Sequence, residues 1–144
     1  MRLMTAAFAP IASIALVVIA PGIARAADPI TGQWVTENGN AVVTIAPCGK
    51  AMCGKITKIL RPNPKGDGTD QRNPDPKLKN RPILGLTIIP SFTDAGRDWQ
   101  GKIYSPEAGR DYKGYLIKQP DGTLQVKGCV AAFLCKNQKW SPAR

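Results

Sequence analysis

The chain has no histidine, and aromatic residues make up only 6% of its 144 positions. Without histidine, Ser-His-Asp and Cys-His triads are excluded, as are histidine-ligated metal sites. A Ser-Lys hydrolase is unsupported too, because none of Ser91, Ser105 and Ser141 has lysine three residues on. No catalytic residue, cofactor or metal is therefore expected. Acidic residues are also scarce, 10 against 20 Lys plus Arg, for a formal net charge of +10. No cysteine precedes Cys48, so the acceptor of an envelope lipoprotein is missing. Sustained 3.6-residue periodicity is absent as well, which leaves helix a minor component.

What is present begins with a leader. Arg2, an apolar stretch from Ala6 to Ala20 broken at Pro10, and Ala24-Arg25-Ala26 follow the order of a cleavable signal peptide. A retained anchor would need about 20 uninterrupted apolar residues. The expectation is a signal peptide over 1–26 and one domain over 27–144, soluble, not membrane-spanning, and periplasmic or secreted, where function must proceed without ATP. The basic excess is concentrated: Lys50 to Arg81 holds nine basic residues against Asp67, Asp70 and Asp75. Outside the cytoplasm nucleic acid is scarce, so basic charge points to anionic envelope partners or simply to solubility.

Short apolar runs alternate with turn residues. Strands are predicted at Gly32–Glu37, Ala41–Ala46, Cys53–Leu60, Leu84–Ile89, Asp98–Ser105, Asp111–Lys118, Thr123–Val130 and Phe133–Trp140. Asn38-Gly39, Asp94-Ala95-Gly96, Ala108-Gly109 and Asp121-Gly122 supply hairpin turns, because these residues tolerate positive φ. Eight antiparallel strands in up-and-down order give an all-β fold. Periodicity leaves barrel and sandwich equally open.

Between the third and fourth predicted strands, residues 61–82 carry Pro62, Pro64, Pro74, Pro76 and Pro82 with Gly66 and Gly68. A connection of this length is either functional or a floppy insertion. Asp67, Asp70, Asn73 and Asp75 within it offer oxygen donors of the kind calcium takes, at a spacing that matches no established loop.

Cys48 and Cys53 are separated by four residues, Cys129 and Cys135 by five. In an exported chain an even count usually pairs. Two local bridges are favoured, with the cross-pairing of distant cysteines kept open because geometry decides it. Neither spacing is the Cys-x-x-Cys of redox catalysis. The segment Gly49-Lys50-Ala51-Met52-Cys53-Gly54-Lys55 imitates a phosphate loop, but Ile56 stands where Ser or Thr must bind magnesium.

Trp34, Trp99 and Trp140 fall on separate predicted strands and read as core plugs. Gly32-Gln33-Trp34 is similar to the Gly-x-Trp opening of lipocalin-type barrels. A wider resemblance rests on Asp28-Pro29, Pro47-Cys48-Gly49 with Cys53-Gly54, Asn73-Pro74-Asp75-Pro76, Arg81-Pro82-Ile83-Leu84-Gly85 and Trp99-Gln100-Gly101-Lys102-Ile103-Tyr104-Ser105-Pro106. Gly109 with Tyr112, and Leu124-Gln125-Val126-Lys127-Gly128-Cys129, extend it. The chain resembles the bacterial exported domain-of-unknown-function family 2147, with Lys102 where a second glycine is expected and Lys127 where arginine is common. The resemblance implies a lipocalin-like (calycin-like) β-barrel in the periplasm and no assigned activity.

Two functions follow as expectations. The first is a non-enzymatic binder of a small apolar or amphiphilic envelope molecule held in the barrel, with the Pro-rich loop as rim and its lysines meeting an anionic head group. The second is an interaction or stress-protective protein that docks through 61–82 and has no ligand cavity. Candidate contact residues are Asn73, Asp75 and Arg81 on the loop, with Tyr104 and Tyr112 as aromatics at the mouth. Their other role is bracing, with Asp75 and Arg81 as an internal ion pair.

Overall fold

A computed structural model describes residues 22–144; the expected leader, apart from residues 22–26, lies outside the described residues. The eight strands are β1 (Gly32–Val35), β2 (Ala41–Cys48), β3 (Ala51–Ile59), β4 (Thr87–Asp94), β5 (Trp99–Ser105), β6 (Arg110–Lys118), β7 (Leu124–Ala131) and β8 (Leu134–Pro142). Each pairs antiparallel with the next, and β1 closes on β8 through Trp34 opposite Pro142 and Val35 opposite Ser141. The result is a closed up-and-down barrel, which removes the sandwich alternative.

Period-two alternation sorts side chains to the two faces. Leu116 lies opposite Trp99 and Val126, and Leu124 opposite Trp140; Leu116, Val126, Leu124 and Trp140 are buried while Lys139 beside them is exposed. Phe92 sits at the centre, fully buried, opposite Met52 on one side and Gly101 on the other. Room for its ring explains two glycines. A Cβ at Gly101 would come within 2.8 Å of the Phe92 ring and 2.3 Å of the Ser91 carbonyl oxygen, and one at Gly114 within 2.6 Å of Phe92 Cζ. The ring therefore packs closely against β5 and β6 inside the barrel.

Seven of the predicted strands lie within about two residues of their observed bounds, but β4 runs Thr87–Asp94 rather than Leu84–Ile89. Gly85 takes φ 84°, and Leu86 N–H donates to Ile83 O, so Leu84-Gly85 is a turn. Downstream, the β3–β4 register shifts on either side of Gly54, opposite Ile89 and close to Pro90. Proline, lacking an N–H, is tolerated at such irregularities, and it hides the strand from an alternation test.

The up-and-down order places the β1–β2, β3–β4, β5–β6 and β7–β8 connections at one end of the barrel, here called the loop end. At the other end the segment 27–31 docks. Ile30 is fully buried, its carbonyl accepts from Trp34 Nε1 at 3.0 Å, and Asp28 O accepts from Trp99 Nε1 at 2.9 Å. Trp34 and Trp140 are core residues and Trp99 packs half-buried against them. Both local disulfides form, Cys48–Cys53 across the β2–β3 hairpin and Cys129–Cys135 between β7 and β8. Among the described residues no helix is long and apolar enough to cross a membrane.

Candidate functional site

The β3–β4 connection, 60–86, is folded onto the loop end. Thr69 bridges Pro82, Asp70 N–H donates to Arg81 O, and Ile83 N–H to Gly68 O, so the two arms of the loop run antiparallel. This small ladder sets Asp70 across from Arg81. The Asp70 side chain is fully buried and accepts from Tyr104 OH at 2.7 Å, Asn73 Nδ2 at 2.9 Å, and Arg81 Nε and Nη2 at 2.8 Å each. Asn73 Nδ2 also reaches Tyr104 OH at 2.9 Å, and the Arg81 guanidinium lies 5.2 Å from the Tyr104 ring centroid. A buried carboxylate needs this degree of satisfaction to be tolerated.

Tyr104 comes from the outer face of β5, opposite Asp111, and ties the loop to the barrel wall. Burial first, then the hydrogen bond and charge of Asp70, raise its phenol above the ordinary tyrosine range. The neighbouring β5–β6 turn seats on the same loop. Arg72 Nη1 donates to Glu107 O, and a Cβ at Gly109 would come within 1.9 Å of Arg72 O. Gly109 also takes φ 64°, so glycine is required there on two counts.

Three of the five expected contact residues, Asn73, Arg81 and Tyr104, thus converge, but on a fourth, Asp70, which the sequence offered only as an oxygen donor for calcium. The expected Asp75–Arg81 pair does not form. Asp75 N–H donates to Asn73 Oδ1, and Asp75 Oδ1 accepts from Lys77 N–H, so its carboxylate caps the next turn while Arg81 turns to Asp70. Tyr112 lies elsewhere, on β6 opposite Ile103, half-buried against the core. The four oxygen donors weighed for calcium do not converge either. Asp70 is taken by its three partners and Asp67 accepts from the Thr69 hydroxyl; among the described residues no group of three or more His, Cys, Asp or Glu is placed to hold a metal. With its oxygens occupied and no surface exposed, Asp70 forms a clasp.

Two hollows, of about 590 and about 310 Å³, open on the surface, and Gly101 and Tyr112 contribute to the first. Lys102, Lys113 and Cys129, successive register partners on the outer face, line the first. Gln33, Thr57 and the C-terminal Ala143 and Arg144 line part of the second.

A closed eight-stranded barrel with an N-terminal Gly-x-Trp and a plugged end is a lipocalin-like domain. A family model described as an uncharacterised protein conserved in bacteria, domain-of-unknown-function family 2147, matches residues 32–142, and the chain belongs to that family. A solved structure of a Helicobacter pylori protein, described as belonging to the lipocalin family, superposes with a TM-score of 0.69 at 18% identity, covering 81% of this chain and 84% of that one. At that identity the likeness concerns the fold. No curated protein matches in sequence. Two disulfides in a bacterial family fit an exported protein.

Proposed function

We propose that this is a non-enzymatic protein of the bacterial envelope, periplasmic or secreted, that acts through its outer surface and not by enclosing a ligand. The observation that carries this reading is the close packing of the core around Phe92. A drug-sized ligand needs roughly 300 Å³ or more of mostly apolar cavity. Here Phe92, Ile45, Ile89, Leu116, Leu124 and Val43 are fully buried within the barrel, and Gly101 and Gly114 have no room even for a methyl group beside Phe92. Of the two expectations, docking without a cavity is therefore better supported than the internal binder.

Charge supports an anionic partner. Lys65, Lys77 and Lys79 are exposed on the 60–86 connection, which the Asp70 clasp holds in one shape. Asn73, Arg81 and Tyr104 act as braces for that surface. Native mass spectrometry of protein purified from the periplasm of its own cells tests the reading: the bare chain is expected, and a stoichiometric apolar small molecule would return function to the barrel interior. Replacing Lys77 and Lys79 by Ala, while leaving the structural Arg81 in place, is expected to weaken retention on an anionic matrix. Unchanged retention across a salt series would remove the loop from the docking face.

A further inference from the structure

The β7–β8 hairpin ends in Val130-Ala131-Ala132-Phe133-Leu134, five apolar residues, all exposed. Phe133 is 83% exposed, Leu134 56% and Val130 49%. Scattered apolar side chains on a surface are ordinary; a contiguous apolar apex on a hairpin tip is not.

The fold does not demand this composition. Among the described residues, every other connection between strands carries a glycine at positive φ: Gly39, Gly49, Gly68 with Gly85, Gly96, Gly109 and Gly122. The β7–β8 turn, closed by Ala131 opposite Leu134, contains no glycine and no residue at positive φ. Polar turn residues would suit such a turn at least as well as Ala132 and Phe133. Among the described residues its apolar character has no packing partner and no turn geometry to account for it.

The surroundings specify a counterpart. Cys129–Cys135 closes the hairpin directly beneath the apex, limiting the ordering cost of any docking. At the level of that disulfide the outer face presents Lys113 opposite Cys129 and Lys102 opposite Lys113; with Arg110 and Val130 they line the 590 Å³ hollow, in which Asp111 is the one acidic side chain. Two to three residues of hairpin separate this basic tier from the tip, roughly 7–10 Å at strand rise. That matches the depth of about 5–10 Å to which interfacial apolar groups enter a bilayer, with cations left at the level of the phosphates.

We propose that the β7–β8 apex is a membrane-docking wedge: Phe133 and Leu134 enter the acyl boundary of an anionic phospholipid surface, and Lys102, Lys113 and Arg110 engage its phosphates. The proposal rests on the surface-acting reading above and names its partner as the lipid surface.

Flotation of the oxidised, exported chain with vesicles of equimolar phosphatidylglycerol and phosphatidylcholine, against phosphatidylcholine alone, tests it. Binding to the anionic vesicles is expected at low salt and is lost near 1 M salt, where the screening length falls to about 3 Å. Phe133→Ser with Leu134→Ser lowers partitioning at least about ten-fold. Lys102→Gln with Lys113→Gln lowers it by about ten-fold or more. Phe133→Trp keeps binding, and its emission shifts to the blue and is quenched by brominated acyl chains. All these side chains are exposed, and the circular dichroism of each variant serves as the folding control. The proposal is overturned if anionic vesicles fail to bind the wild type, or if the Ser variant floats as well as the wild type. It is equally overturned if sedimentation shows the apex sustaining a dimer that does not bind vesicles. None of these failures places a ligand inside the barrel, so the surface-acting reading would survive them; only a co-purified internal ligand removes that.

Discussion

The two projections at the loop end invert the usual distribution of polarity in opposite senses. The 60–86 connection is long and rich in proline, yet it buries a carboxylate and an amide, Asp70 and Asn73, the two buried polar side chains among the described residues. The β7–β8 apex is short and rigidly stapled, yet it leaves Phe133 and Leu134 in water. In the first, polar burial is internally satisfied and works as a fastener. In the second, apolar exposure is satisfied by nothing among the described residues. Length and composition therefore do not tell which projection is the ordered scaffold and which is the working surface; the partners of each side chain do.

The largest expected effect follows from removing the fastener. Asp70→Ala leaves the Arg81 guanidinium, the Tyr104 hydroxyl and the Asn73 amide without their common acceptor, and should cost about 3 kcal/mol, the lower end for breaking a buried charge pair because Arg81 is partly exposed. Urea unfolding would read this as a lowered midpoint, and proteolysis should cut within 60–86. The same measurement on Phe133→Ser should move stability by no more than about 0.5 kcal/mol. If the two variants were equally destabilising, the contrast between fastener and free surface would be broken.

Much of the fold was legible before any coordinates, and the reasons for the exceptions are physical. Asn38-Gly39, Gly96, Gly109 and Asp121-Gly122 mark turns by backbone chemistry that acts locally, so the strands between them could be bounded from sequence. Local disulfides were favoured from the cysteines' positions at strand ends, and the choice against cross-pairing came from the geometry. Strand β4 was displaced because Gly85 makes a turn inside the predicted run and Pro90 lies at an irregularity in the following strand. Asp70 was passed over because burial of a charge depends on partners eleven and thirty-four residues away, which no local pattern encodes. Asp70 was singled out only as an oxygen donor of the kind calcium takes, together with Asn73. The wedge was missed for the complementary reason: the strand ends predicted at Val130 and Phe133 fell one residue from the observed Ala131 and Leu134, but the absence of turn residues between them carried no meaning until the neighbouring turns were seen to follow the rule.

An intermediate effect is expected from the staple under the apex. Cys129→Ser with Cys135→Ser should cost about 2 kcal/mol in the chain-entropy account of so short a loop. Amide exchange should accelerate in Val130–Leu134 while the amides of Asp70, Asn73 and Arg81 keep their protection. That outcome would sharpen the comparison by showing that each projection is held by its own device. Acceleration that spread into 60–86 would mean that the two are coupled through the barrel end.

The smallest effect separates hydrogen bonding from charge within the clasp. Tyr104→Phe keeps the ring beneath the Arg81 guanidinium but removes one donor to Asp70, which should cost about 1 kcal/mol near neutral pH. Its pH dependence is more diagnostic than its size. Because burial and the adjacent carboxylate raise the Tyr104 pKa in the folded state, the folded protein holds that proton more tightly than the unfolded chain. The resulting stabilisation is complete below the ordinary tyrosine value of about 10 and is lost as pH climbs through the higher folded value. Urea midpoints of wild type and Tyr104→Phe should therefore converge as the solution becomes strongly alkaline. Parallel curves throughout that range would mean that the phenol ionises freely and that Asp70 is held by Arg81 and Asn73 alone.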